Sequence, residues 1–148
     1  MLGSNDCKTQ FRASAQEIAE GVRQVAEKAG SAGGSEFPIL LIAPAALTER
    51  IARSGFGSEF DLHSVEVSKA LAEEYEALAK RLGCHFLDAS KATRVSTADG
   101  LHLDADGHRR LAEAVCAWVK IQLEYISYEL DKIYRKEGNG NEDNVQNI

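Results

Sequence analysis

The chain has 148 residues, 44% of them hydrophobic and 27% charged, with a formal net charge of −6. That length suits one domain with a real core. The acidic balance argues against a general nucleic-acid binder, which would show a basic face. The longest apolar candidate, Pro38 to Leu47, falls far short of the roughly 20 residues a membrane span requires.

The opening residues, Met1 to Asp6, contain neither a basic segment nor an apolar stretch, so no signal peptide is expected there. Three cysteines, Cys7, Cys84 and Cys116, make an odd set without paired spacing. They read as reduced thiols of a cytoplasm-like compartment, although a leader lost with an upstream piece would change that reading. Cys84 and Cys116 suit small buried positions. Cys7 lies beside a candidate site.

In chain order, Met1 and Leu2 read as the last step of a strand entering the turn Gly3-Ser4-Asn5-Asp6. A helix is predicted from Ser14 to Ala29, opened by a Ser14/Glu17 capping box and carrying Ile18, Val22, Val25 and Ala29 at helical spacing. Residues 30–35 are Gly/Ser-rich and predict a flexible loop. The continuous apolar run Phe37 to Ala43 marks a strand covered on both faces, ended by Pro44. Thr48 to Arg53 predicts a short helical turn, and Ser54 to Phe60 a Gly-punctuated loop. A long helix follows from His63 to Leu82, with Val67, Leu71, Tyr75 and Leu78 on one face and Gly83 as its stop. Cys84 to Asp88 predicts a second buried strand. After the loop holding Asp99 to His102, Asp104 caps a last helix that begins near Ala105.

This order calls for a parallel α/β sheet with helices on both faces. Only two complete strands are present, fewer than such a sheet ordinarily has, so the chain reads as a domain whose opening strands are missing. In the last helix Val119, Leu123, Ile126, Leu130 and Ile133 alternate by four and three, a short heptad stripe. Ile121, Tyr125 and Tyr128 add a second apolar face. Pairing with another copy and packing onto the chain's own sheet both explain it. The expected organisation is one domain over residues 1–137 and a polar, disordered tail over 138–148.

Two segments can carry chemistry. In an open α/β sheet, sites form at the carboxyl ends of the strands. An asparagine at a strand-to-helix turn, as Asn5 is placed, can aim its amide at an oxyanion. Taken alone, Gly3-Ser4-Asn5-Asp6 is better explained as a turn made of turn-forming residues. In Asp99-Gly100-Leu101-His102, the histidine can move a proton while the carboxylate orients it. That segment too, alone, is an ordinary loop Asp beside a surface His.

Together they resemble the SGNH (GDSL-type) hydrolase family: Gly-Ser-Asn-Asp, about a hundred residues of alternating helix and strand, then Asp-x-x-His opening the final helix. The similarity runs from Met1 to about Leu123 and covers that family's third and fifth sequence blocks. It includes Leu101 to His108 and the strand ending in Ala43-Pro44, and is closest to bacterial arylesterase and acyl-esterase members. The resemblance implies a flavodoxin-like three-layer fold with the N-terminal strands absent and a long C-terminal helix. It implies Asn5 as the oxyanion donor, Gly3 as the residue permitting its turn, His102 as general base and Asp99 as its partner.

The family also uses a serine in a Gly-Asp-Ser motif upstream of these blocks, and no Gly-Asp-Ser occurs here. Ser4, Ser90 and Ser96 are rejected as substitutes because none lies on a strand-to-helix elbow. A serine esterase acting on short acyl esters, with acetylated sugars and aryl esters as candidates, is therefore expected to be nearly inactive as this chain alone. The alternative is a non-catalytic α/β fragment that oligomerises through its open sheet edge or terminal helix.

No cofactor, nucleic-acid partner or membrane partner is expected; the expected partners are a small ester and, through the edge or the helix, a second copy. Residues 44–62 are expected to line the acyl side. Asp99, His102, Asp104, Asp106 and His108 cluster in sequence, and carboxylates with imidazoles can bind divalent ions. Because Asp104 and Asp106 suit a helix's first turn, no metal site is assigned. His63 and His85 read as structural.

Overall fold

The structure, a computed structural model, describes residues 1–33 and 38–139, with side chains as far as Lys132. Residues Met1–Leu111 form one compact unit, and Ala112 onward is a second. Among the described residues no helix is long and apolar enough to cross a membrane.

The first unit is built on two short parallel strands, β1 (Leu40–Ala43) and β2 (His85–Asp88), in register from Leu40 opposite His85 to Ala43 opposite Asp88. Both lie inside the predicted segments but are shorter; Phe37 falls outside the described residues. Successive side chains of β1 point to opposite faces, as a strand requires. Leu41 and Ala43 enter the main core with α1 (Ala15–Gly33) and α2 (Leu62–Leu82). Ile42 faces a smaller cluster with Ala45, Ala89, Val95, Leu103 and Leu111. Leu111 belongs to α4 (Ala105–Asn139), so helices cover both faces. The fold is α/β with a small parallel sheet.

Helix α2 anchors the core. Asp61 caps it through a reciprocal box, its Oδ1 accepting from the Ser64 N–H at 2.8 Å and Ser64 Oγ accepting from the Asp61 N–H at 3.2 Å. Its predicted stripe, Val67, Leu71, Tyr75 and Leu78, is buried throughout. Gly83 ends it in the left-handed region at φ 66°, where a side chain would be strained.

Helix α1 starts as expected, with the Ser14 N–H donating to Glu17 Oε2 and the Glu17 N–H to Ser14 Oγ. Its buried stripe is Ile18, Ala19, Val22 and Ala26, not the Val25 and Ala29 that were expected to continue it; Val25 is 52% exposed. The 3.6-residue period favours the four-residue step from Val22 to Ala26. The helix also runs through Gly30 to Gly33, where a loop was expected, and Ser31 Oγ donates to Glu27 O there.

Two further differences bear on the site. Met1 and Leu2 form no strand: they precede a 3-10 turn, Ser4–Cys7, and among the described residues the sheet consists of β1 and β2. A strand needs a ladder of partners, and the Leu2 carbonyl instead accepts from Tyr75 Oη at 3.0 Å. A short helix, α3 (Ala89–Ala92), follows β2 directly, capped by Asp88. The predicted turn at 48–53 appears as a 3-10 segment, Glu49–Arg53.

Helix α4 begins at Ala105, with Asp104 Oδ1 accepting the Gly107 N–H at 2.7 Å. It reaches Asn139. In the second unit Val119, Ile121, Leu123, Tyr125, Ile126, Tyr128 and Leu130 are all exposed. The side chain of Ile133, the stripe's last member, and the tail from residue 140 lie outside the described residues.

Candidate active site

The 3-10 turn Ser4–Cys7 presents Asn5 exposed at the surface. Gly3 makes the turn. Its φ is 117°, and a Cβ there would stand 2.4 Å from Tyr75 Oη. Both the backbone angle and the buried tyrosine therefore demand glycine. Beneath the turn, the Cys7 thiol donates to Gly3 O. Burial, with Asp6 nearby, pushes the Cys7 pKa up to about 11, so the thiol is neutral. Burial likewise raises the Tyr75 phenol well above its usual value.

Asp99 and His102 are in direct contact. Asp99 Oδ2 lies 2.8 Å from His102 Nδ1, while Oδ1 accepts the backbone N–H groups of Leu101 at 2.8 Å and His102 at 3.0 Å. The Leu101 N–H, then the His102 ring and N–H, hold the Asp99 carboxyl down at about 2. It is thus ionised wherever an esterase works. The His102 side chain is 61% exposed. With Nδ1 held by a carboxylate, Nε2 is the nitrogen free to exchange a proton with a reacting group.

The loop carrying this pair is clamped from two sides. The Ser96 N–H donates to His102 O and the Gly100 N–H to Ser96 O. From the 3-10 segment, the Thr48 N–H donates to Gly100 O at 3.1 Å. Gly100 sits at φ 76°, and a Cβ there would come within 2.7 Å of both Ile51 N and Thr48 Oγ1. A side chain would therefore strain the backbone and push the histidine loop off its support.

Within residues 44–62, expected to line the acyl side, one contact with the site carries no periodic or motif signature in the sequence. The Phe56 ring meets the His102 imidazole edge-on, with centroids 5.3 Å apart and planes at 61°. Three residues on, Glu59 O accepts the Thr9 N–H at 2.9 Å and Thr9 Oγ1 at 3.1 Å, and its carboxylate pairs with Lys8 Nζ. Residues 56–59 thus touch His102 at one end and the stretch just after the Asn5 turn at the other. Only the aromatic type of Phe56 inside a loop of small residues could have flagged it.

Of the rejected serines, Ser90 does lie at a strand-to-helix junction, in α3 directly after β2, and both it and Ser96 accept backbone N–H groups. Ser90 Oγ accepts from the Ala46 N–H, and Ser96 Oγ from the Ala98 N–H. Of the residues weighed as metal ligands, Asp104 caps α4, Asp106 pairs with Arg109 and Arg110, and His108 is exposed. His63 lines an open cavity of about 370 Å³ with Lys8, Arg12 and Asp61.

No family model and no curated protein matches the chain. Solved structures do. One is Est24, a carbohydrate acetylesterase from Sinorhizobium meliloti, at 30% identity and TM-score 0.73, aligned over 82% of this chain and 59% of that one. Another carbohydrate acetylesterase family member from Sinorhizobium meliloti gives 32% identity and TM-score 0.74, over 84% and 60%. The aryl esterase of M. smegmatis gives 25% and 0.71, over 81% and 58%. The chain therefore spans less than two thirds of each of these enzymes. The resemblance to SGNH-type esterases holds at the level of fold, and the neighbours are carbohydrate acetylesterases and an aryl esterase, consistent with the arylesterase and acyl-esterase members that the motifs resemble.

Proposed function

We propose that this chain is the acid–histidine and oxyanion portion of an SGNH-type carboxylic ester hydrolase for short acyl esters. The observation that carries this reading is the 2.8 Å contact between Asp99 Oδ2 and His102 Nδ1 in a chain with an esterase fold. His102 takes the proton of a serine hydroxyl through Nε2 and later returns it to the leaving alcohol. Asp99 holds the ring and stabilises the imidazolium. Asn5 donates its amide to the tetrahedral oxyanion. A second proton transfer to His102 activates water to release the acyl group. The attacking serine comes from outside these 148 residues, since no Gly-Asp-Ser occurs in them. Acetylated carbohydrates and aryl esters are the substrate classes proposed, after the activities named for the neighbours.

The test is intact-mass measurement after exposure to a serine-directed fluorophosphonate, alongside hydrolysis of p-nitrophenyl acetate. The chain alone should show neither labelling nor turnover. Supplied with a Gly-Asp-Ser segment, upstream or in trans, it should gain both, and His102→Ala should remove about 10³-fold or more of the rate. An active, serine-supplied protein indifferent to His102→Ala would overturn the proposal.

A second reading is favoured by the exposed apolar residues of α4, from Val119 to Leu130: a module that associates with its own kind. Light scattering at increasing concentration tests it. A monomer throughout removes this reading and leaves the first untouched.

A further inference from the structure

We infer that Phe56 is a positioning residue for His102, fixing the imidazole that Asp99 alone leaves free to swing. This rests on the proposed role of His102 as the base. A carboxylate at Nδ1 fixes one point of the ring, while the side chain remains 61% exposed. A ring held at one point and otherwise in water keeps rotational freedom, and orientation of the base governs how often Nε2 meets the proton it must take. The edge contact with Phe56, at 5.3 Å and 61°, supplies a second point. It lies in the separation range favoured for edge-to-face aromatic pairs.

The local chain shows that Phe56 is itself held. Its N–H donates to Ser54 Oγ at 3.1 Å, and Ser54 Oγ donates to Ile51 O at 2.8 Å. Its carbonyl accepts from the Glu59 N–H at 2.9 Å and from the Phe60 N–H at 3.1 Å. Phe60 is 1% exposed and sits in the main core, which also takes part of the Phe56 ring. The turn is closed by Gly57, where a Cβ would lie 2.6 Å from Ala52 O. A loop that reads as irregular is thus a bracket with the buried Phe60 at its base and the Phe56 ring at its tip. The same bracket binds Thr9 and Lys8 through Glu59, so displacing Phe56 also loosens the link to the stretch after Asn5.

The test reads the His102 Nδ1 proton by nuclear magnetic resonance in the full chain. A proton shared with Asp99 should resonate at low field and exchange slowly with water. Phe56→Ala should speed its exchange by about two- to tenfold, the range expected for loss of one aromatic contact. Phe56→Tyr, which keeps the ring edge, should restore the parent rate. Phe56→Leu keeps apolar bulk against the core and guards against misfolding of the alanine variant; it too should exchange faster than the parent. Thermal unfolding measured on each variant separates this local effect from a general loss of stability. Unchanged exchange in a folded Phe56→Ala or Phe56→Leu protein overturns the inference alone. Absence of the low-field proton in the parent overturns the Asp99–His102 pair, and with it both the inference and the proposed function.

Discussion

Asp99 and His102 are joined twice, for Oδ1 of the carboxylate accepts the His102 backbone N–H at 3.0 Å while Oδ2 meets the ring nitrogen Nδ1 at 2.8 Å. One side chain thereby sets where the histidine backbone sits and holds one nitrogen of its ring. The three-residue spacing makes this economical, because the loop must close on itself before α4 begins at Ala105.

The depressed acidity of Asp99 fixes a pH dependence. Its folded value, about 2, lies below the roughly 3.9 of an unfolded aspartate. The ionised form therefore contributes stability in full above about pH 4, and that contribution is lost as pH falls through 2. Asp99→Asn should unfold at lower denaturant concentration than the parent at pH 6, and the gap should close progressively toward pH 2. A gap of constant size across that range would show that the charge of Asp99 does not stabilise the loop.

Gly3 and Tyr75 should behave as a coupled pair. Gly3→Ala must accommodate both φ 117° and a Cβ 2.4 Å from Tyr75 Oη, at a cost of about 1–3 kcal/mol. Tyr75→Phe alone forfeits the hydrogen bond to Leu2 O, about 1 kcal/mol. In the double variant the clashing oxygen is gone, so the two losses should sum to less than additive. Strict additivity in chemical denaturation would place the strain of Gly3→Ala in the backbone alone.

These cases show what the sequence exposes and what it hides. Asp-x-x-His is a local pattern, and its hydrogen bonds span only two or three residues, so spacing and residue type suffice to find it. The cap Gly83 and the stripe Val67, Leu71, Tyr75, Leu78 are legible for the same reason, being consequences of one helix's period. By contrast, Phe56 reaches His102 across 46 positions (102 minus 56) from a loop with no periodicity. The support of Gly100 by Thr48 spans a similar gap. Residues Gly30 to Gly33 mislead in the opposite direction: glycine propensity argues for a loop, yet α1 continues through them. Met1 and Leu2 read in the sequence as the last step of a strand entering the Gly3 turn, but a strand is defined by its partner, which local sequence does not reveal.

Thr93 offers a stabilising substitution. It is 3% exposed, and its hydroxyl has no hydrogen-bond partner among the described residues. A buried hydroxyl without a partner carries its full desolvation cost. Thr93→Val, which replaces it with a methyl of similar shape, should raise stability by about 1 kcal/mol, read as a higher denaturant midpoint at unchanged slope. A drop of similar size would mean that the hydroxyl is satisfied, by water or otherwise.

The three thiols should separate cleanly by reactivity. Cys116 is exposed, Cys84 partly covered and Cys7 buried. Burial raises Cys84 as well as Cys7, and Cys7 reaches about 11, where only about one molecule in a thousand is thiolate at pH 8. Alkylation by iodoacetamide at that pH, followed by peptide mass mapping, should therefore modify Cys116 first, then Cys84, and Cys7 last. Because Cys7 lies under the Asn5 turn and donates to Gly3 O, its protection also reports whether that turn is closed. Gly3→Ala should bring Cys7 labelling forward while leaving the Cys116 rate as it was. Early labelling of Cys7 in the unsubstituted chain would mean that the turn opens readily, and Asn5 would then have no fixed base from which to meet an oxyanion.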